Sequence, residues 1–506
     1  MARRASDNAL MWQRLFVEFE GPLLQGRLQD MLVHAILEGL INPGEPIPSS
    51  RQLATMLGVS RSTVTLALQR LCDMRLLVPK NASGYFVHVE AIVNLQQADR
   101  EAQPKQSADV DWSQRIAQPL AGQRNICKPA DWYHYPYPFV YGQIDQTLFP
   151  KNDWRQCVGE SLQVSAIQTW APDLIDGDDP GLIEQIQQRL LPARGISTAR
   201  ENILVTAGAQ NATYLLAHTL FSKDTTIAME NPGYPDARNI FSMRSNRIIP
   251  VAVDRQGLQV DDDFGACDYL FVTPSHQCPT TVTLPLQRRL SLLQRAEKED
   301  FVIIEDDHES ELNFAGKPTA ALKSLDQADR VIYIGSLSKT LFHGLRLGFL
   351  VAPPALIDEL RRLRRLIMRH PSSNNQHTAA MFIRHGFQQA YVKRLNSAYG
   401  ERADILREAL TKHLPDWKHL ASNGGSALWV ETPADLDSSA LATLALQHGI
   451  VIEPGAVFYS HADKAPTNVL RMGYSAIPAR RIEAGVERLA ALVRHEYRSD
   501  TDHRAH

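Results

Sequence analysis

The sequence is short of the features that would place it in several large protein classes. Its 506 residues include five cysteines, Cys72, Cys127, Cys157, Cys267 and Cys278, scattered, odd in number and with no C-x-x-C pair. A disulfide framework and a cysteine zinc site are therefore excluded, and no metal centre is expected. No apolar run reaches the roughly 18 residues that span a bilayer, and MARRASDNALMWQRLF has neither an apolar signal core nor a small-residue cleavage site. The expectation is a cytoplasmic chain with no membrane partner. Charge of one sign is missing too: 53 Lys and Arg against 56 Asp and Glu give a formal net charge of -3, so the chain as a whole has no bulk attraction for nucleic acid. What is present, 44% hydrophobic and 22% charged residues, is the composition of a folded globular chain. At roughly 150 residues per domain, about three folding units are expected.

Texture divides the chain. Residues 20–90 are dense in helical periodicity and turn residues, 91–130 are mostly polar and read as a linker, and 131–495 alternate short apolar runs with helical ones. In the last zone NILVTAG, TIAME, YLFVTP, FVIIEDD, VIYIGS and LGFLVA predict an α/β architecture with a mainly parallel central sheet. A smaller α+β subdomain is expected from about residue 370.

In 20–90 the apolar positions Leu28, Met31, Leu32, Ala35 and Ile36 follow helical spacing, and NPGEPIPSS breaks the helix. Ser49 or Ser50 caps a second helix that stops at Gly58, and Ser60 caps a third, RSTVTLALQRL. Two short helices about a glycine turn form a helix-turn-helix. The run LLVPKNASGYFV adds a hairpin with Asn81 to Gly84 at its tip. Between 50 and 80 there are five basic residues (Arg51, Arg61, Arg70, Arg75, Lys80) against one acid, Asp73. Such a local excess suits phosphate contacts around a recognition helix, although a small helical domain with a solvated charged face would look similar.

Farther on, Lys339 in SLSKTLFHGLRLG follows a predicted strand, and Asp306 lies at the end of the predicted strand in FVIIEDD. Open α/β sheets bind ligands at the carboxyl ends of their strands. A lysine amine that forms a Schiff base, with an acid that keeps a pyridine nitrogen protonated, is the pair that pyridoxal 5'-phosphate requires. The turn TAGAQNA opens a helix, so the amides of Gly208, Ala209 and Gln210 are suited to a phosphate, with Ser336, Ser338 and Arg346 adding hydroxyl and guanidinium contacts. In ENPGYPDAR a Pro-Gly turn presents Tyr234 for stacking on a planar ring. Taken singly, each has a plainer reading: a solvated lysine, a strand-end cap, a surface arginine, a packing aromatic.

Together these segments resemble known families. GEPIPSSRQLATMLGVSRSTVTLALQRLCDMRLLVPKNASGYFV resembles the winged helix-turn-helix of GntR-type bacterial regulators. That resemblance implies a double-stranded DNA partner, with Arg51 on a phosphate, Arg61, Thr63 and Thr65 on the recognition helix, and Gly84 at the wing. The segments FVYGQIDQTLFPKNDWRQ, TAGAQ, ENPGY, TPSHQCPT, IEDDHESEL, GSLSKTLFHGLRLG and EPGAVFY...LRMGYS resemble fold type I aminotransferases and, with the reader ahead of them, the MocR subfamily of GntR regulators. The resemblance implies Lys339 as the Schiff-base lysine, Asp306 as the pyridine partner, Tyr234 as the stacking ring and Arg471 as the clasp for an effector's carboxylate. It also implies a homodimer that senses a small amine or amino acid; an active aminotransferase with an appended reader is the alternative, and a domain that holds no cofactor and serves only dimerisation is a third.

Three positions depart from the subfamily pattern. Cys278-Pro279-Thr280-Thr281 replaces a Phe-Pro-x-Gly pattern, His343 replaces a common proline, and His308 stands where a tyrosine usually hydrogen-bonds the cofactor's phenolic oxygen. Imidazole also donates such a bond but titrates near neutrality. The expected outcome is that the cofactor's visible spectrum titrates differently with pH in wild type and in His308→Tyr; coincident titrations would contradict it.

Overall fold

The computed structural model describes residues 11–17, 19, 24–42, 44–80, 84–88, 110–260, 265–315, 319–338, 341–420 and 423–497. The chain divides into two compact units, Met1–Pro119 and Leu120–His506.

In the first unit helices α1 (Leu24–Leu37), α2 (Ser50–Leu57) and α3 (Arg61–Asp73) precede a hairpin of β1 (Leu77–Lys80) and β2 (Gly84–Val87). Local chemistry sets the helix ends. Ser49 and Gln52 form a reciprocal capping box at α2, Gly58 ends it at φ +65°, and Ser60 Oγ accepts from the Thr63 amide, 3.1 Å away, to start α3. Leu28, Met31, Leu32 and Ala35 of α1 close on Leu53 and on Val64, Ala67, Leu68 and Leu71 of α3, all without solvent exposure. The helical segment 11–17 adds Trp12, Leu15 and Phe16 to the same core.

The second unit is built on an eight-stranded sheet. In chain order its strands are β3 (Ile203–Thr206), β4 (Thr226–Asn231), β5 (Arg247–Asp254), β6 (Gly257–Leu258), β7 (Tyr269–Val272), β8 (Val302–Asp306), β9 (Val331–Ser336) and β10 (Gly348–Val351). Across the sheet they run β3-β10-β9-β8-β7-β4-β5-β6. The five central and right-hand strands β9, β8, β7, β4 and β5 are mutually parallel, while β10 is antiparallel to both its neighbours and β6 to β5. Helices α4 (Ala209–Leu220), α5 (Pro235–Ser242), α6 (Leu286–Glu299) and α7 (Pro354–Met368) serve the connections. The central strands β7, β8 and β9 are largely apolar and buried, as strands covered on both faces must be, with acids at the end of β8. A second, four-stranded sheet of β11 (Lys418–His419), β12 (Ala427–Glu431), β13 (Glu453–Pro454) and β14 (Val469–Gly473) has its own core, in which Leu428, Leu470 and Met472 meet Leu406 and Leu410 of the long helix Phe387–His413. No described helix is long and apolar enough to cross a membrane, and the described residues hold no His/Cys/Asp/Glu group placed to bind a metal.

The sheet carries a buried acid beside the site. Glu230 in β4 is 3% exposed and accepts from Thr273 Oγ1 at 2.5 Å, the Thr273 amide at 3.2 Å and Gln277 Nε2 at 3.3 Å. Burial pushes its carboxyl up to about 7 in spite of those bonds. Because the folded value lies above the unfolded value of about 4.3, the stability it contributes is fully present below pH 4.3 and is lost as pH rises towards 7. Glu230→Gln, which keeps the shape and does not ionise, is expected to lose less thermal stability between pH 5 and 7.5 than wild type. Equal losses in scanning calorimetry would contradict this.

Candidate functional site

The site is assembled at one edge of the sheet, where β3, β4, β7, β8 and β9 end and the antiparallel β10 begins. Three consecutive acids close β8. Side chains alternate along a strand, so Glu305 and Asp307 point to one face and Asp306 to the other. Glu305 accepts from the Leu322 and Lys323 amides, both at 2.8 Å, and burial, with Asp307 adding repulsion, pushes it up to about 7. Asp307 is gripped by Arg194, whose Nε lies 2.7 Å from Oδ2 and Nη2 3.2 Å from Oδ1, by Ser275 Oγ at 2.5 Å and by Tyr333 OH at 2.7 Å. Burial works to raise its pKa, but Arg194 together with the Ser275 and Tyr333 hydrogen bonds outweighs that and holds it below the ordinary carboxylate range. The strand end is thereby fixed, and Asp306, 4% exposed, is turned to the site face.

His308 lies just beyond, its Nδ1 3.9 Å from Asp306 Oδ1, longer than a hydrogen bond. Tyr234 caps the entry to α5, and its hydroxyl donates to Asp236 Oδ2 at 3.1 Å. Burial, reinforced by Asp236, Asp306 and Cys278, drives its phenol well above the ordinary range, and its ring packs against the cluster that holds Cys278. Gln210 Nε2 reaches the same Asp236 oxygen at 3.5 Å.

The phosphate turn depends on two glycines. Gly208 precedes α4 at φ +90°, and a Cβ there would meet Arg346 Nη2 at 3.1 Å. A Cβ on Gly348 would come within 3.0 Å of Gly208, so the start of β10 also packs against that turn. The first-turn amides of α4, including Ala209 and Gln210, lack intrahelical acceptors and are suited to an anion. Arg346 is exposed and reaches the Ala207 carbonyl at 3.4 Å, while Ser336 pairs with Gly348 across β9 and β10. Ser338 is buried and donates to the Leu347 carbonyl at 3.2 Å, so its proton is already engaged. Lys339 and residues 81–83 of the expected wing tip lie outside the described residues, as does 91–109 of the expected linker.

A buried carboxylate at a strand end, a ring-sized aromatic beside it and a glycine turn with an arginine at a helix N-terminus fit pyridoxal 5'-phosphate. Asp306 would hold the ring nitrogen, Tyr234 the ring face, and Gly208, Ala209, Gln210, Ser336 and Arg346 the phosphate.

Arg471, in β14, is 2% exposed and already has a charged neighbour, with its Nε donating to Glu453 Oε2 at 2.9 Å. Its guanidinium carbon stands 3.9 Å from the Tyr141 ring centroid and 4.7 Å from that of Phe458. In the first unit Arg51 and Arg61 are exposed, as are Ser62 and Gln69. Thr63 and Thr65 are half-buried: Thr63 Oγ1 lies 2.7 Å from Ser60 Oγ, and Thr65 Oγ1 donates to the Arg61 carbonyl at 2.9 Å. Gly84 sits at φ +99° with open space where a Cβ would be.

Several residues of the site escape a sequence reading. Asp236 carries a signal, an acid two positions after Tyr234 at a helix start. Arg194 and Asp307 are 113 positions apart and meet only in the fold. Arg124 and Arg238 both donate to the Tyr459 carbonyl at 3.0 Å, tying the end of the expected linker to the turn that carries Phe458. Burial, with Arg124 adding repulsion, brings Arg238 down to about 10.

Comparison with known proteins agrees with this geometry. Residues 173–489 match the family model of aminotransferase class I and II, and residues 24–87 that of bacterial regulatory proteins of the gntR family. The chain is 38% identical over 473 residues to the HTH-type transcriptional regulator TauR of Rhodobacter capsulatus, covering 93% of this chain and 96% of that protein. It is 29% identical to the probable rhizopine catabolism regulatory protein MocR of Rhizobium meliloti, with 92% of each chain covered. Among solved structures, LysN, an alpha-aminoadipate aminotransferase from Thermus thermophilus complexed with N-(5'-phosphopyridoxyl)-L-leucine, superposes with a TM-score of 0.69 at 25% identity, over 76% of this chain and 98% of that one. With both family models matched in this order and relatives aligned along nearly their whole length, the chain belongs to the MocR-type GntR regulators, a gntR-family helix-turn-helix joined to an aminotransferase class I and II fold.

Proposed function

We propose that this regulator binds an operator through its winged helix-turn-helix and uses the pyridoxal phosphate site to sense a small amine or amino acid. The observation that carries the reading is the presence, in one chain, of an exposed basic recognition helix and a cofactor set centred on Asp306, Tyr234, Gly208 and Arg346. When bound, the cofactor supplies an aldehyde on which Lys339 and an incoming amine exchange. The chain's own part is to orient the ring with Asp306 and Tyr234, anchor the phosphate at α4, and offer Arg471 to an acid group on the effector. A ligand shifts a regulator only by binding one arrangement better than another. Arg124 and Arg238 support such a link, since they join the end of the linker to the turn under Arg471. A cytoplasmic homodimer reading two half-sites completes the proposal.

The test uses the full-length holo-protein and DNA from upstream of its own gene. Arg51→Ala is expected to weaken binding and to reduce the slope of log affinity against log salt by about 1. Lys339→Ala is expected to keep DNA binding but to lose both the amine-induced change in visible absorbance and the amine-induced change in DNA affinity. Multiple-turnover amino transfer to a keto acid, lost in Lys339→Ala and without effect on DNA binding, would favour an aminotransferase instead.

A further inference from the structure

Arg471 lies in β14 directly opposite Glu453 of β13 on one side and Trp429 of β12 on the other. Both members of the Arg471–Glu453 pair are 2% exposed. A guanidinium can grip an acid along either of two edges, the end formed by its two Nη atoms or the side formed by Nε and an Nη. Glu453 Oε2 stands 2.9 Å from Nε and so closes the side edge. Its other oxygen, Oε1, is buried with no hydrogen-bond partner among the described residues, so the carboxylate is held at one point beside the clasp. Burial works to lower the Arg471 pKa, but Glu453, with Cys278 and Tyr141, outweighs it, and the cation persists. Tyr141 and Phe458 shield the pair from water.

Arg471 faces one carboxylate before any ligand arrives. One acid group on the end edge adds a negative charge to these buried surroundings, and a second acid group adds another that this ion pair leaves unanswered. We propose that Glu453 is a specificity-determining residue: by taking the Nε edge of Arg471 it restricts the effector to an amine bearing one singly charged acid, carboxylate or sulfonate, and rejects dicarboxylic amines. This rests on the reading that an amine with an acid group docks at Arg471.

Full-length holo-protein is titrated with β-alanine, taurine and L-aspartate while the cofactor's visible absorbance is followed, and, by calorimetry, with propionate, ethanesulfonate and succinate, which have no amine. β-Alanine against taurine separates carboxylate from sulfonate at equal chain length. Wild type is expected to bind a one-acid probe at least about tenfold more tightly than L-aspartate or succinate, as like-charge crowding requires. Glu453→Gln should erase most of that preference by strengthening the diacids, and Glu453→Asp should retain it; a merely structural ion pair would weaken all probes alike and leave the ratio unchanged. Wild type binding diacids as tightly as monoacids overturns the proposal without any variant, as does an unchanged ratio in Glu453→Gln, or no acid binding at all. If calorimetry ranks propionate or ethanesulfonate over succinate while no amine alters the spectrum, the selectivity stands and the amine-sensing reading fails.

Discussion

The larger unit depends on how three consecutive carboxylates are buried at the end of one central strand. An unpaired buried charge costs several kcal/mol, so each must be answered separately. Strand alternation sends Glu305 and Asp307 away from the site, one to two backbone amides, the other to Arg194, Ser275 and Tyr333. Those bonds fix the strand end on which Asp306 is carried. The floor of the pocket is therefore an electrostatic requirement of the sheet.

The surrounding parts serve the same geometry. Gly208 and Gly348 let β10 approach the phosphate turn closely enough for Arg346 to reach it. Tyr234 and Gln210 both lean on Asp236, which couples the ring-facing residue to the phosphate-facing helix. On the smaller sheet, Arg471 is kept charged in a dry place by Glu453, and Phe458 beside it sits on a turn whose carbonyls are held by Arg124 and Arg238. Within this unit the turn at Phe458 and Tyr459 thus joins the surroundings of Arg471 to the chain at Arg124.

Features governed by local chemistry were legible in the sequence. The reader helices declare themselves through caps at Ser49 and Ser60, the glycine stop at Gly58 and the apolar spacing of Val64, Ala67, Leu68 and Leu71. The strand ends at Gly208, Tyr234, Asp306 and Ser336 were legible for the same reason, an apolar run followed by turn residues. Direction was not: LGFLVA has the texture of any buried strand, and nothing in four apolar residues says that β10 runs against its neighbours. Nor were partners set by topology. Arg471 and Glu453 are 18 positions apart, and only strand register brings them face to face. Thr63 and Thr65 fall on the expected helix, yet their hydroxyls are turned to Ser60 and to the Arg61 carbonyl, leaving Arg61, Ser62 and Gln69 as the exposed surface.

Asp306 is buried at the end of β8, and we propose that a protonated ring nitrogen pairs with it when the cofactor is bound. The most direct measurement is the affinity of Asp306→Asn for pyridoxal 5'-phosphate beside that of wild type, by equilibrium titration of the visible absorbance. A charge-assisted hydrogen bond of this kind predicts affinity weaker by about ten- to a hundredfold in the variant, with the fold retained. Equal affinity in the two proteins would contradict the account.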